Sequence, residues 1–156
     1  GQVSRLTTEE RLLFAKAIVS VANRDEPMMA RLAGDMGLRT EHQNDWVLMK
    51  YGAFWLGSFG EDVVGELGGA THFEENLARI DRLVATGDTY FGAVRCILMT
   101  RGVAALVGFP GVDSSERMRP AAEALLRRAG PDGAMETIPG RRLPKPDLAS
   151  LLHKRV

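Results

Sequence analysis

Cysteine is nearly absent from this 156-residue chain, with Cys96 the only one. No internal disulfide can form and a cysteine-rich zinc site is excluded, which suits a reducing compartment or an organelle interior. Net charge is missing too. Lys plus Arg total 20, and so do Asp plus Glu. That balance leaves no global field to draw nucleic acid or an acidic membrane, and it favours association with a larger partner over a free monomer. Gly1 to Glu10 is polar and carries no hydrophobic secretory segment. The chain opens on Gly1 rather than methionine, so processing or truncation upstream is expected. A charge-free membrane span is also lacking. The best candidate, Tyr90 to Phe109, is interrupted by Arg95 and Arg101, each costing ~2.5–3.5 kcal/mol at a bilayer centre. It reads instead as a buried helix of a globular core.

Apolar content is 45% and charged content 26%, ordinary values for a globular chain. Helical spacing recurs along most of it. Thr7-Thr8-Glu9-Glu10 forms a capping box with Thr7 as cap, ahead of Leu13, Phe14, Ala17, Ile18 and Val21 at helical intervals. Asn23 closes that helix. Asp25 caps a second, with Pro27 in its first turn and Gly37 as its stop. A third is expected to open at Thr40. It carries Trp46, Tyr51 and Trp55, which makes it central to the core, and it ends at Gly57 and Gly60. Gly65 to Gly69 has no firm period and reads as a loop or frayed helix. A fourth helix is expected over Phe73 to Ala85, with Phe73, Leu77, Ile80 and Val84 inward. A fifth, capped by Asp88, carries Phe91, Val94, Ile97, Leu98, Arg101, Ala105 and Leu106. A sixth starts at Ser114 or Ser115, points Leu125 and Leu126 inward, is kinked by Pro120 and stops at Gly130. The predicted fold is all-α, with about six helices over residues 1–130. A proline-rich extended arm comes next over 131–156, ending in an amphipathic segment, Asp147 to Leu152, suited to packing on a partner.

Chemical constellations are sparse. His42, His72 and His153 are scattered, without the converging ligands a metal needs. The acidic pairs Glu9-Glu10, Glu61-Asp62 and Glu74-Glu75 diverge on a helix rather than forming an acid/base dyad, and two of the three lie at or near helix starts, where they read as solvated first-turn acids. Despite 17 glycines there is no G-x-x-x-x-G-K-[ST] and no G-x-G-x-x-G after a strand. Cys96 reads as a structural cysteine buried in a helix. Arg95 and Arg101 lie in the most apolar helix, six residues apart and so off a common face. A buried arginine needs an acidic or carbonyl partner. The structural expectation is a salt bridge to a neighbouring helix; the functional one is a lipid-headgroup or partner contact.

Several segments in order resemble the C-terminal part of the UbiB/aarF/ADCK atypical kinases. Gly1-Gln2-Val3-Ser4-Arg5-Leu6-Thr7 is similar to the segment just after the metal-binding aspartate of a kinase Asp-Phe-Gly motif, with Gly1 as its glycine. The helix Glu9 to Asn23, the acidic turn Asn23-Arg24-Asp25 and the stretch Met28 to Gly37-Leu38 are similar to that family's pattern of helix, short acidic turn, helix, leucine-glycine. Arg95 to Gly102 resembles its late hydrophobic helix, and Ser114 to Leu126, with Arg119-Pro120 and Leu125-Leu126, its closing helix. The resemblance covers nearly all of Gly1 to Ala129; the arm has no counterpart.

It implies a helical kinase C-lobe and a link to isoprenoid-quinone or lipid metabolism at mitochondrial, plastid or bacterial membranes. The family's nucleotide lysine, catalytic-loop residues and metal aspartate would all lie upstream. No catalytic, cofactor-binding or metal residue can therefore be assigned here, and no cofactor is expected, because phosphoryl transfer needs those groups. Two functions are expected from this resemblance. One is a non-catalytic interaction protein docking in an organellar membrane assembly, in mitochondrion or chloroplast, with protein partners, peripheral lipid contact and no nucleic acid. The other is the C-terminal portion of an active kinase or ATPase, with the bacterial cytoplasm as a further location. A third reading, independent of the family, is a helical binder of a hydrophobic ligand between the third and fifth helices. Helix pattern and family logic point to Arg95, Arg101, Arg141, Arg142, Leu148, Leu151 and Leu152 as contact residues.

Overall fold

The computed structural model describes residues 5–109 and 111–152. Within them the fold is all-α, as the periodicities predict. α1 (Thr8–Ala22) opens on the expected capping box: Glu10 N–H donates to the Thr7 hydroxyl at 3.2 Å, and Thr7 N–H to the Glu10 carboxylate at 2.6 Å. α2 (Glu26–Asp35) starts at Asp25. Between the two, Arg24 adopts a φ of +53°, a left-handed cap position usually held by glycine. The reversal returns Asp25 N–H to the Ser20 carbonyl at 3.1 Å and turns the Asp25 side chain into the protein.

α3 (Asp45–Gly52) begins later than expected, capped by Asn44. Thr40 does not open it. Arg39–Thr40 forms a short strand, β1, paired antiparallel with β2 (Leu83–Ala85), and the Thr40 hydroxyl donates to Asp81 at 2.5 Å instead of capping a helix. α3 then widens into a π-helix over Ala53–Gly57. α4 (Glu61–Val64) and a 3₁₀ turn over Gly65–Leu67 lead into α5 (Gly69–Ile80). The predicted fourth helix thus ends before Val84, which lies in β2 and is 55% exposed. α6 (Asp88–Leu106) comes after Gly87. Gly87 has a φ of +68°, and an added Cβ would meet the Met36 carbonyl oxygen, so only glycine fits this approach to the end of α2. α7 (Ser114–Arg128) is capped by Asp113 rather than by either serine. Its carboxylate accepts the N–H groups of Ser115 and Glu116 at 2.9 and 3.2 Å, and α7 continues through Pro120.

The core is built where α2 meets α3, with α5 beneath; Leu32, Val47, Leu67, Phe73 and Leu77 are completely or almost completely buried. Each large apolar side chain taken from water contributes about 1.5–3 kcal/mol. Trp46, Tyr51 and Trp55 are buried around it, as the third helix promised. α1 is packed on two sides. One meets α2 and the π-helix. The other carries Ala15, Ile18 and Val19 against Ala122 of α7, with Leu125 and Leu126 at the margin.

Asp81 ties the short strand pair to the start of α3. It is 2% exposed and accepts from the Thr40 hydroxyl, His42 N–H and Asn44 N–H. Burial pushes its carboxyl up, but these hydrogen bonds outweigh burial and hold it below its usual range. A depressed folded pKa contributes stability above the unfolded value, ~3.9, that is lost as pH falls through the folded value. Asp81→Asn is expected to cost roughly 1–3 kcal/mol at neutral pH. In urea titrations the gap to wild type should shrink below about pH 4; a gap unchanged by acid would remove Asp81 as its source.

Candidate functional site

The arm does not extend away from the helices. After a 3₁₀ turn at Gly130–Gly133, it runs back over the α1–α2 turn. Asp25, 0% exposed, receives Arg141 Nε at 2.8 Å and Nη2 at 3.2 Å, Ile138 N–H at 2.8 Å and Met28 N–H at 3.4 Å. The Arg141 carbonyl accepts Glu26 N–H, and Asn23 O accepts Gly140 N–H, both at 2.9 Å. Glu26 accepts from Arg142 Nη1 at 2.6 Å and Leu143 N–H at 2.7 Å. Arg141 and Arg142 are therefore structural contacts within the chain, locking the arm to the residues that cap α2. The arm ends in α8 (Leu148–Leu152), which lies against α5. Leu148 packs against the edge of the main core, and it, Leu151 and Leu152 are half-buried.

The two arginines of α6 separate completely. Arg101 is 3% exposed. It donates from Nη1 to the Gly57 carbonyl at 2.6 Å and from Nη2 to the Phe54 carbonyl, and its guanidinium carbon lies 4.0 Å from the centre of the Phe59 ring. The expected salt bridge is replaced by carbonyls, because the π-helix offers acceptors where α6 crosses it. Burial lowers the guanidinium pKa to about 10, with Asp113 pulling it back. Nε is buried with no hydrogen-bond partner. Arg95 is exposed on the other side of α6.

α6 itself departs furthest from its sequence pattern. Its apolar composition predicts burial, but only Tyr90, Val94 and Arg101 are buried. Phe91 is 48% exposed, Met99 61%, Val103 59% and Leu106 88%. Val107 and Phe109, just past its end, are also exposed. Cys96 is exposed rather than a buried structural cysteine. At about 100° per residue, Phe91, Arg95, Cys96, Met99, Val103 and Leu106 share one side, opposite the three buried residues. The sequence could not choose between the two sides because α6 is apolar all round, a composition that normally marks a helix covered on every side. No helix of the described residues is long and apolar enough to cross a membrane.

Other places offer less chemistry. A cavity of about 80 Å³ is lined by Arg24, Glu26, Lys50, Ser58, Asp62, Asp113 and Arg142 among others, and most of these side chains already have partners. Arg24 pairs with Asp62 at 3.3 Å, Arg142 with Glu26, and Lys50 Nζ donates to the Val63 carbonyl at 3.0 Å. Burial lowers the Lys50 pKa, with Glu66 and Glu26 opposing. The apolar void that reaches both the π-helix and α6 lies mainly between α1 and α2 and measures about 10 Å³, no larger than one water probe. His42 and His72 are exposed, while His153, like Gly1 to Ser4 of the kinase-like opening segment, lies outside the described residues. Among the described residues no three His, Cys, Asp or Glu side chains converge as metal ligands. The described residues thus form a helical body with a bound arm and a large uncovered apolar surface on α6. No protein-family model, no curated protein and no solved structure matches this chain.

Proposed function

We propose that this chain is a non-catalytic docking module, similar to the helical C-lobe of a UbiB/aarF-type atypical kinase, that packs through α6 onto a protein partner in a membrane-associated assembly of a mitochondrion or chloroplast. The uncovered face of α6 carries this reading: exposed Met99, Val103, Leu106 and Phe109 are the composition of an interface centre rather than of a solvated helix. The order of helices supports the kinase-like part. An acidic turn joins α1 to α2, glycine and leucine come after α2, and Arg119-Pro120 sits within the last long helix.

Cys96 lies on the same face and is the only thiol, so it reports on occupancy. Maleimide labelling of Cys96 in an extract of the native source is expected to run at least tenfold slower than in dilute purified protein. Leu106→Glu should restore the fast rate. Equal rates in extract and in dilute solution would show the face uncovered in its own setting and remove the docking reading. If a longer parent polypeptide carries a kinase half upstream, the same module becomes the base of an atypical kinase or ATPase. ATP hydrolysis by that parent, and none by residues 1–156, would then identify it.

A further inference from the structure

We infer that the occupant of the α6 face is a second copy of this chain, docked by an antiparallel, two-fold symmetric pairing of α6 with α6 centred on Met99. This rests on the docking function proposed for α6 and names its partner.

The exposed apolar side chains are many and large. Phe91, Met99, Val103 and Leu106 on the face are 48–88% exposed, and Val107 and Phe109 continue the apolar surface past the end of the helix, the kind of uncovered patch that marks a protein interface, where a standard stable interface covers ~800 Å² per partner. The side chains also match themselves. Around a two-fold axis at Met99, residues whose numbers lie equally far above and below 99 face each other. Leu106, 88% exposed, is set over Gly92; Val107 meets Phe91; Val103 meets the aliphatic stem of Arg95; and Cys96 meets Gly102. The most exposed residue, Leu106, falls opposite a glycine, and Gly92, Cys96 and Gly102 leave room for the ~8–10 Å axial separation of packed helices.

Charge permits this pairing and disfavours a lipid surface. Arg95 is the only charged side chain on the exposed side of α6 after its first turn. Its symmetry mate stands eight residues away along the axis, about 12 Å, beyond the ~8 Å screening length at physiological salt. The chain has zero formal net charge, so copies do not repel. An interfacial membrane helix would instead carry several Lys or Arg on its polar side.

Sedimentation of the full chain at tens of micromolar is expected to give twice the 17.0 kDa monomer mass. Leu106→Glu should return it to monomer with its circular dichroism unchanged, while Val84→Glu, on exposed β2, should leave it dimeric. Register is read by disulfides. Cys96→Ala combined with Met99→Cys places the new thiols on the axis and should form a covalent dimer under mild oxidation. Cys96→Ala combined with Leu106→Cys, whose thiols stand about 21 Å apart along the helix, should not. A 17.0 kDa particle at 100 µM, with the Met99→Cys variant no better cross-linked than the Leu106→Cys variant, overturns the second copy. Flotation of that monomer with anionic vesicles, lost in Leu106→Glu, overturns it in favour of lipid. A monomer whose Cys96 is nonetheless protected in native extract overturns it while leaving docking on a different protein intact.

Discussion

Arg141→Met is expected to lower the stability of the domain by about 3 kcal/mol. On a chain of this length that corresponds to a fall of roughly 6–12 °C in melting temperature. The cost comes from the carboxylate left behind more than from the arginine removed. Asp25 is completely buried, and Arg141 supplies two of its four hydrogen bonds and its counter-charge. Without Arg141 an ionised group stays desolvated with only the N–H groups of Met28 and Ile138. Removing one partner of a buried pair costs ~3–5 kcal/mol, and about 3 is the appropriate figure because Arg141 is 38% exposed and water enters from that side. The double variant Asp25→Asn with Arg141→Met should recover part of the loss, since the neutral amide no longer needs a counter-charge. The arm should loosen in the single variant. Glu26 and Asn23 bind the same strap through Arg141, Leu143 and Gly140, but each bond is worth only ~0.5–1.5 kcal/mol. Trypsin is then expected to cut after Arg142 before any site in the helical body. Urea titration and timed digestion read both effects; a stable Arg141→Met with an uncut arm would show that the clasp does not hold the strap.

Arg101→Met should cost about 2–3 kcal/mol. Two charge-assisted bonds, worth ~1.5–3 kcal/mol each, are lost from the carbonyls of Gly57 and Phe54, together with the ring contact to Phe59. Against this stands relief of a buried cation whose Nε has no partner, a desolvation gain of ~1–3 kcal/mol. The losses win because the two carbonyls belong to the π-helix and have no other side-chain donor there. Arg101→Lys should fall between, since one ammonium cannot span both oxygens as the guanidinium fork does. Denaturant midpoints for the three proteins test the order. Arg101→Met as stable as wild type would mean that the buried charge and its bonds cancel. Neither substitution is expected to alter Cys96 labelling at high dilution, because Arg101 faces the core and Cys96 faces solvent.

Local chemistry was legible wherever one residue and its neighbours decide the outcome. The capping box at Thr7 and Glu10, Asp25 at the start of α2, Gly37 after it and Gly130 after α7 are dictated by backbone donors that need acceptors and turns that need positive φ. Trp46, Tyr51 and Trp55 announced a central helix because that much apolar area has to be buried. The two misplaced helix starts share one cause. Thr40 and Ser114 are good caps by type, but Asp81 takes the Thr40 hydroxyl and Asp113 already accepts the first N–H groups of α7.

The amino-acid sequence by itself therefore determined an all-α chain, most of its helices and their caps, and a core around α3, because hydrogen-bond satisfaction and helical periodicity act over a few residues. Only the tertiary structure decided which arginine of α6 is buried, that the arm folds back onto Asp25, and that one side of α6 stays open. Arg95 and Arg101 stand in the same apolar helix with the same local chemistry. Their fates differ because the π-helix carbonyls and the Phe59 ring face one side of α6 and nothing in the described chain covers the other. The Asp25–Arg141 pair spans 116 residues, a separation at which no local pattern can indicate which charges will meet.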